Sequence, residues 1–367
     1  MTATASMERT APRVVSLTSK AVPPPRTHYP DNTTAEVAWA MSSIRAMVKQ
    51  LPYETISGTT TLGWSTTIPG WPHGSPPDDP HILDRIDRFL GDHGVFAENP
   101  HAAKTVAKLG PAEIARYWFP RVEQKKSDIL VIYNLVWWLY DDSVETCSDA
   151  EQARAIAATV GDLTDPADEP RSVLRAFNAL GQAFGTMPTS WKDLLHRAQS
   201  DWFASHGREL DLIRRMEEAG RHPDCETFLT WRYVNIAAFA LAVLTDYAMS
   251  APLDEQRWST HIDSIRTQFN WMCILQNDMT SMHCGKDGAR LNMTKALCAE
   301  FDIDVAAAFH IMTRLHEQCV GKLSAACTQF AHDADYDPPV MEWIALNVDL
   351  ARGLAIFHAT ALRYGDC

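Results

Sequence analysis

Three carboxylates lie close together where an aromatic, apolar stretch of the sequence ends. The stretch is YNLVWWLYDDSVE, residues 133–145, and its acidic members are Asp141, Asp142 and Glu145. If it is helical, Tyr133, Trp137 and Asp141 lie four residues apart on one face, which the other two carboxylates extend by about one turn. Buried carboxylates must be neutralised or paired with cations, and Mg²⁺ takes oxygen ligands from one or two carboxylates and from substrate phosphates. Alternatively, Asp-Asp-Ser marks a solvated helix end.

A second polar group ends another long apolar stretch, FNWMCILQNDMTS. Asn277 and Ser281 are four residues apart and share a helix face, so an amide oxygen and a hydroxyl are available to bind one cation together. Asp278 is turned about 100° from that face, and we expect it to make supporting contacts instead of binding metal. Taken alone, this pattern is typical of a polar helix end.

Cationic residues supply the third and fourth signals. Arg232 lies within the otherwise apolar stretch FLTWRYVNIAAFA, where a guanidinium must find an anion, either a structural carboxylate or a ligand phosphate. Arg363 and Tyr364 end the last predicted helix and add a second cation with a hydroxyl donor beside it. Each of these alone is also explained by a salt bridge at a helix end.

Helices must position all of these groups. Thr33 and Glu36 form a capping-box pattern that starts the first helix, and no later segment alternates with the period of a strand. Glycine and proline separate the remaining candidate helices, which are 81–91, 100–109, 111–118, 122–142, 148–161, 171–184, 189–219, 224–249, 254–284, 291–299, 303–332 and 338–363. The sequence therefore predicts an all-α fold of about a dozen helices around a central apolar cavity.

The composition and the lack of an evident linker predict one large domain. The chain has 367 residues, 46% of them hydrophobic, and no evident linker, so we expect a flexible head at residues 1–30 and a single helical domain over 31–367. Residues 52–80 suggest an ordered loop anchored by Trp64 and Trp71. The net charge of −13 disfavours binding to nucleic acids or anionic membranes as the main activity.

The eight cysteines show neither a CxxC pair nor zinc-ligand spacing. We therefore expect reduced thiols that serve as small apolar side chains. The N-terminus lacks the apolar core of a signal peptide, and no stretch approaches the roughly 18 continuous apolar residues of a membrane span. These patterns favour a soluble, cytoplasmic protein.

Taken in order, the four signals resemble the motif set of class I terpene synthases. The resemblance spans residues 115–365, and Arg232 precedes Asn277 by 45 positions, close to the spacing of the diphosphate-sensing arginine in that family. The Asp-Asp-Ser form of the first motif and Asn235 three residues after the arginine look most like fungal sesquiterpene cyclases of the trichodiene synthase and longiborneol synthase type. The resemblance implies three Mg²⁺ ions and a prenyl diphosphate substrate, with farnesyl diphosphate favoured over the geranyl and geranylgeranyl compounds.

The resemblance also implies which residues hold the metal and the diphosphate. Asp141 would bridge two ions, with Asp142 and Glu145 assisting. Asn277 and Ser281 would bind the remaining ion from the opposite side. The implied diphosphate contacts are Arg232, Arg363 and Tyr364, and a helix break at Asn235 and Ile236 would couple diphosphate sensing to ionisation. Asp141, Arg232, Asn277 and Tyr364 form the implied catalytic set, in a monomer or homodimer.

The second motif departs from the family pattern at its end. Eight residues after Asn277 the family has an acidic residue, whereas this chain has Gly285, followed by Lys286 and Asp287. A helical Asp287 would point roughly 200° away from the metal face. Either Gly285 breaks the helix so that Asp287 returns as a metal ligand, or a water takes the place of that ligand. Lys286 is displaced in the same way from the family's diphosphate-binding lysine.

An allylic cation needs a dry apolar pocket whose aromatic faces stabilise positive charge. The pocket candidates are Tyr133, Trp137, Phe119 and Phe239, the last lying seven residues after Arg232 on the same predicted face. A chain-elongating prenyltransferase is the nearest rival, but it requires a second aspartate-rich motif in place of Asn277 to Ser281. Because of Gly285, a non-catalytic or impaired prenyl-diphosphate-binding protein of the same fold is an alternative, and a plain helical scaffold is a third.

Overall fold

A computed structural model describes residues 33–53, 64–74, 79–99, 101–145, 172–284 and 290–360. The described residues form fourteen α-helices and one short 3-10 helix, with no strand among them, so the predicted all-α fold is confirmed. The predicted flexible head and the predicted helix at 148–161 lie outside the described residues.

The helix boundaries lie close to those predicted from glycine, proline and capping residues. The helices are α1 (Thr33–Gln50), α2 (Ile82–Asp92), α3 (Val95–Glu98), α4 (Ala102–Leu109), α5 (Pro111–Trp118), α6 (Gln124–Glu145), α7 (Ser172–Ala183), α8 (Thr189–Ala219), α9 (Cys225–Asn235), α10 (Ala238–Ala248), α11 (Glu255–His283), α12 (Met293–Phe301), α13 (Val305–Asp333) and α14 (Pro338–Thr360).

Side-chain caps explain why several of these helices begin where they do. Asp224, Asp254 and Asp304 each accept a hydrogen bond from the backbone N–H three residues further on, at the starts of α9, α11 and α13. Asn292 accepts from the N–H of Thr294 at the start of α12. Each cap contributes about 1 kcal/mol, and together they fix the starts of the helices that carry the second polar group and its neighbours.

Helix α11 is the centre of the bundle. It packs against α10, α13 and α14, and every residue from Ile265 to Gln276 is buried. Helix α6 packs against α5, α7 and α10. At one crossing, α5 approaches α14 so closely that a Cβ at Gly353 would collide with the carbonyl oxygen of Tyr117. The core therefore holds α6 and α11 in a fixed relation.

Helices α9 and α10 differ from the single helix 224–249 that the periodicity predicts. The helix is interrupted at Ile236 and Ala237. Ala237 has φ 63°, a left-handed conformation that costs a non-glycine residue about 1–2 kcal/mol. The same segment, Cys225–Ala248, is the one described stretch that is long and apolar enough to cross a membrane, and 72% of its most apolar window is buried inside the protein.

Two other expectations can be compared with the structure. Trp64 anchors the loop before α2, as predicted, because its ring is buried and its indole N–H donates to the carbonyl oxygen of Ala355 (3.1 Å). The expectation that every cysteine is a reduced thiol is wrong at Cys284, which is disulfide-bonded. The other five cysteines in the described ranges are free thiols.

Candidate active site

Arg232 on α9 is the centre of a buried polar group. Its Nε and Nη2 atoms both donate to Asp278 Oδ1, at 3.0 and 2.6 Å, and Nη2 also donates to Asn277 Oδ1 at 2.8 Å. The side chain of Arg232 is 13% exposed and that of Asp278 is 2% exposed. Arg232 was expected to pair with either a structural carboxylate or a ligand phosphate. The structure shows the carboxylate, Asp278 on α11.

Asp278 also fastens α11 to the start of α12. Its Oδ2 atom accepts from the backbone N–H of Met293 (2.9 Å), and Asn292 donates to its carbonyl oxygen (2.9 Å). These are the supporting contacts expected for a side chain turned away from the face of Asn277. Burial raises the pKa of Asp278, and the Arg232 charge opposes that shift. Burial alone would lower the pKa of Arg232, but Asp278 raises it, so the guanidinium stays charged.

Asn235 extends the group towards α8. Arg232 Nη1 donates to Asn235 Oδ1 (2.8 Å), and Asn235 Nδ2 donates to Ser205 Oγ and to Glu209 Oε2, both at 3.2 Å. Ile236 follows directly and begins the break between α9 and α10. The helix break that the resemblance implies therefore starts next to a hydrogen-bonded amide.

His206 on α8 connects this group to Asp141 on α6. Its Nδ1 atom lies 3.8 Å from Glu209 Oε2, and its Nε2 atom lies 3.7 Å from Asp141 Oδ1. Both distances are within ion-pair range but longer than a hydrogen bond. A continuous series of contacts, called here the polar chain, thus runs through Asp141, His206, Glu209, Asn235, Arg232 and Asn277.

Below Asp141, the face of α6 is aromatic. The ring of Tyr133 contacts that of Trp137 (5.5 Å), and Trp137 contacts Trp202 (4.8 Å). Tyr133 also contacts Phe177 on α7 and Phe184 directly after that helix, and Phe203 on α8 packs against the neighbouring Tyr140. The Tyr133 hydroxyl and the Trp137 indole nitrogen are buried without a hydrogen-bond partner among the described residues, and burial raises the pKa of Tyr133.

The other two pocket candidates lie apart from this aromatic group. The ring of Phe119 contacts Trp118 (6.3 Å), which packs against Trp138 and Phe357. Phe239 is buried in α10, with the Arg266 guanidinium 5.9 Å from its ring. Because α9 and α10 are separate helices, Phe239 does not share a continuous helix face with Arg232.

Two clefts in the described residues contain none of the candidate site residues. The larger, of about 650 Å³, is lined by Arg121, Lys126, Ser250 and Glu342 among others. Lys126 lies fifteen residues before Asp141 on α6, or about 22 Å along the helix. The smaller lies between α4, α5 and α14. Below Asp141, the face expected to line an apolar cavity packs instead against aromatic side chains, because those rings bury one another.

Several predicted site residues or their side chains are not among those that the structure describes. They are the side chains of Asp142 and Glu145 in the last turn of α6, Lys286 and Asp287, and Arg363 and Tyr364. Ser281 lies one turn beyond Asn277 on α11 and is half-buried. The structure therefore brings together Asp141, Arg232, Asn235 and Asn277.

The side-chain oxygen atoms of the described site residues suit a hard cation that also binds a substrate. No group of three or more His, Cys, Asp or Glu side chains converges to hold a metal within the described part of the chain. Asp141, Asn277 and Ser281 offer oxygen atoms, which Mg²⁺ prefers and which it typically supplements with water and phosphate oxygens. Asn277 Oδ1 accepts from Arg232 but has a second lone pair for a metal.

Comparison with protein families gives one match, over residues 133–322, to the family described as terpene synthase family 2, C-terminal metal binding. This is just over half of the chain and includes Asp141, Arg232 and Asn277. The chain belongs to this terpene synthase family. Comparison with curated proteins finds no match in sequence.

Solved structures of other terpene synthases share the fold. Linalool/nerolidol synthase from Streptomyces clavuligerus has 16% identity and a TM-score of 0.65, with 81% of this chain and 99% of that one covered. Germacradien-4-ol synthase from Streptomyces citricolor has 17% identity and a TM-score of 0.67, with 82% and 100% covered. Hedycaryol synthase in complex with HEPES has 15% identity and a TM-score of 0.63, with 83% and 98% covered.

The sequence analysis did not identify two polar residues of the candidate site, His206 and Glu209. They lie three residues apart in DWFASHGREL, a spacing that puts them on one helix face. That spacing is common on solvated helices and gives no sign of burial. The partners that identify them, Asp141 and Asn235, come from helices distant in sequence.

Proposed function

We propose that this terpene synthase is a Mg²⁺-dependent sesquiterpene synthase. It ionises farnesyl diphosphate, cyclises the resulting carbocation to a hydrocarbon or an alcohol, and releases diphosphate. The observation that carries the proposal is the polar chain, which joins Asp141 of the first motif to Asn277 of the second through Arg232. The likeness of its motifs to fungal sesquiterpene cyclases favours the fifteen-carbon substrate.

The metal site would draw on oxygen ligands from two helices. Asp141 on α6 and Asn277 and Ser281 on α11 would hold Mg²⁺, and three ions are expected from the resemblance. Asp142, Glu145 and Asp287 are further proposed ligands. These residues would hold Mg²⁺ where its charge would offset the negative charge that develops on the departing diphosphate.

Arg232 would bind the diphosphate oxygens. The Asp278 carboxylate keeps the guanidinium charged, and the hydrogen bonds to Asn235 and Asn277 fix the plane of its donors. These bonds use four of the five guanidinium N–H groups, so Arg232 would bind a phosphate oxygen through its remaining Nη1 N–H, and a two-point contact would require the exchange of one protein partner for the phosphate. Lys286, Arg363 and Tyr364 are proposed as additional diphosphate contacts, and Asn235 and Ile236 as the residues that transmit the contact to the helix break.

Tyr133 and Trp137 would contact the hydrocarbon part of the substrate once the aromatic side chains that pack on them move apart. Tyr133 lies about two turns and Trp137 about one turn below Asp141 on α6. Both rings are buried, so they would exclude water from the cation and stabilise it through their π-faces. Burial keeps the Tyr133 phenol protonated, which prevents it from trapping the cation as a phenolate. Phe119 and Phe239 are also proposed as pocket residues, although they pack apart from Tyr133 and Trp137.

The test is to incubate the purified protein with Mg²⁺ and, separately, with geranyl, farnesyl and geranylgeranyl diphosphate. Released pyrophosphate and volatile products are both measured. We expect Mg²⁺-dependent pyrophosphate release with farnesyl diphosphate and a cyclic fifteen-carbon product. Tight binding of farnesyl diphosphate without release would instead favour the impaired binding protein, and turnover limited to another chain length would contradict the sesquiterpene assignment.

A further inference from the structure

His206 is chemically unusual for its surroundings. Its side chain is 2% exposed and packs against the rings of Trp202 (4.8 Å) and Tyr140 (6.1 Å). Its Nε2 atom has no hydrogen-bond partner among the described residues. A buried polar atom without a partner is unfavourable, and a phenylalanine would fill the same aromatic environment without that cost. Packing alone therefore does not account for a histidine here.

The histidine lies between the carboxylates of two different elements. Nε2 faces Asp141 Oδ1 on α6 at 3.7 Å, and Nδ1 faces Glu209 Oε2 on its own helix at 3.8 Å. Both carboxylates are about one-quarter exposed, so they lie at the edge of the buried region. The imidazole is thus a spacer that sets the position of Asp141 relative to Glu209.

Glu209 continues the contact into the group that contains Arg232. Its Oε2 atom accepts from Asn235 Nδ2 (3.2 Å), and Asn235 Oδ1 accepts from Arg232 Nη1 (2.8 Å). The negative charge of Glu209 also raises the pKa of Arg232. Any movement of Arg232 towards a ligand therefore disturbs first Asn235 and then Glu209, and through them His206 and Asp141 on α6.

We propose that His206 and Glu209 are positioning residues that couple the metal ligand Asp141 to the diphosphate-binding Arg232. The inference rests on the proposed function for the roles of those two residues. Neither His206 nor Glu209 binds the metal or the diphosphate. Instead, they make binding at one motif favour binding at the other, a reciprocal coupling between two sites. Residues that hold metal ligands in place typically change metal affinity by about 10- to 100-fold when mutated.

The test measures Mn²⁺ binding by electron paramagnetic resonance in the presence of a fixed concentration of inorganic pyrophosphate. The proteins compared are the wild type, His206→Phe, Glu209→Gln and the double variant. We expect each single change to raise the Mn²⁺ dissociation constant about tenfold, and the double variant to lose no more than the weaker-binding single variant, because both residues belong to one chain of contacts. Thermal stability should not fall in His206→Phe, since phenylalanine fits the aromatic surroundings.

Glu218→Gln is the matched control, because Glu218 is an exposed carboxylate further along α8 that pairs with Arg214 (3.4 Å) outside the polar chain. It should leave Mn²⁺ binding unchanged within about twofold, as expected for a surface substitution. Unchanged binding in either single variant, or losses that multiply in the double variant, would overturn the coupling. Glu209→Gln preserves the shape of a partly exposed side chain and keeps the test valid if His206→Phe folds poorly. A wild-type protein that binds no Mn²⁺ with pyrophosphate would overturn the proposed function, and this inference with it.

Discussion

The two sides of the candidate site are built in different ways. On the α9–α11 side, formed by Arg232, Asn235, Asn277 and Asp278, the contacts of Arg232 are hydrogen bonds of 2.6–3.0 Å. On the α6–α8 side, formed by Tyr133, Trp137, Asp141 and His206, the polar contacts of His206 are 3.7–3.8 Å long. Three polar atoms there, on Tyr133, Trp137 and His206, are buried without a hydrogen bond within the described ranges.

This difference teaches which side depends on a ligand. The α9–α11 side is assembled by the protein itself, because a buried guanidinium must be paired with a carboxylate for the fold to be stable. The α6–α8 side keeps the Tyr133 hydroxyl, the Trp137 indole nitrogen and His206 Nε2 buried without a hydrogen bond among the described residues, at a cost in stability. Such a cost is typical of functional sites, where groups are arranged for a ligand instead of for each other. Substitutions on the first side should therefore affect stability, and those on the second side should affect activity.

Asp141→Ala gives the largest expected effect on activity. Loss of a metal ligand should lower kcat by about 10³-fold or more, since metal ions stabilise the charge of the leaving group. Far-UV circular dichroism should stay unchanged, because Asp141 is 26% exposed near the end of α6. Pyrophosphate release from farnesyl diphosphate provides the measurement. Full retention of activity would show that this carboxylate is not part of the metal site.

Arg232→Ala should instead destabilise the protein. It leaves Asp278 buried and unpaired, which costs about 3–5 kcal/mol of unfolding free energy, and it removes the proposed diphosphate contact. Urea denaturation measures the loss. Arg232→Lys is the matched control, because it keeps the charge but not the planar donors, and its loss should be smaller. If Arg232→Ala were as stable as the wild type, the α9–α11 side would not be assembled by this ion pair.

His316 on α13 hydrogen-bonds to Gln276, the residue before Asn277 on α11. Gln276 Nε2 can only donate, so the His316 Nε2 atom that lies 2.8 Å from it is the acceptor. Burial lowers the pKa of His316 from 6.5 to about 4, so the stability due to the neutral ring is complete above pH 6.5 and is lost as the pH falls towards 4. At pH 5 the loss should be about 2 kcal/mol.

The corresponding measurement is urea denaturation of the wild type and His316→Gln at pH 8 and pH 5. The advantage of the wild type over the variant should shrink by about 2 kcal/mol between the two values. An advantage that stays constant would mean that the ring takes up a proton freely in the folded protein.

Tyr133→Phe should have the smallest effect, and in the opposite direction. Removing a buried hydroxyl that lacks a partner should stabilise the fold by about 1 kcal/mol. Thr245→Val is the contrasting control, because Thr245 Oγ1 donates to the Ala242 carbonyl at 2.6 Å, and its removal should cost about 1 kcal/mol. Denaturation of both variants checks the pair. A loss of stability in Tyr133→Phe would mean that the hydroxyl is satisfied in the folded protein.

The sequence predicts the helices of this fold well because its signals are local. Helix α8 was expected at 189–219 and is found at Thr189–Ala219, and α5 was expected at 111–118 and is found at Pro111–Trp118. Proline, glycine and Asp caps end or start a helix through contacts within a few residues. Such signals need no knowledge of the tertiary structure.

The sequence predicts the site less completely because its contacts are not local. The break at Ile236 and Ala237 contains no glycine or proline, so periodicity alone runs through it. His206 and Glu209 look like residues of a solvated helix until α6 and α9 pack on them. Helix geometry alone predicted that Asp278 makes supporting contacts, whereas its pairing with Arg232 depends on the packing of α9 against α11.

The central claim is that Asp141 and Asn277 face one metal site. Crystals grown with Mn²⁺ and inorganic pyrophosphate, measured by anomalous diffraction at the manganese edge, test it most directly. We expect manganese peaks within about 2.2 Å of the side-chain oxygens of both Asp141 and Asn277, as for oxygen ligands of a small divalent cation, with pyrophosphate between them. Manganese bound elsewhere, or at neither residue, would contradict it.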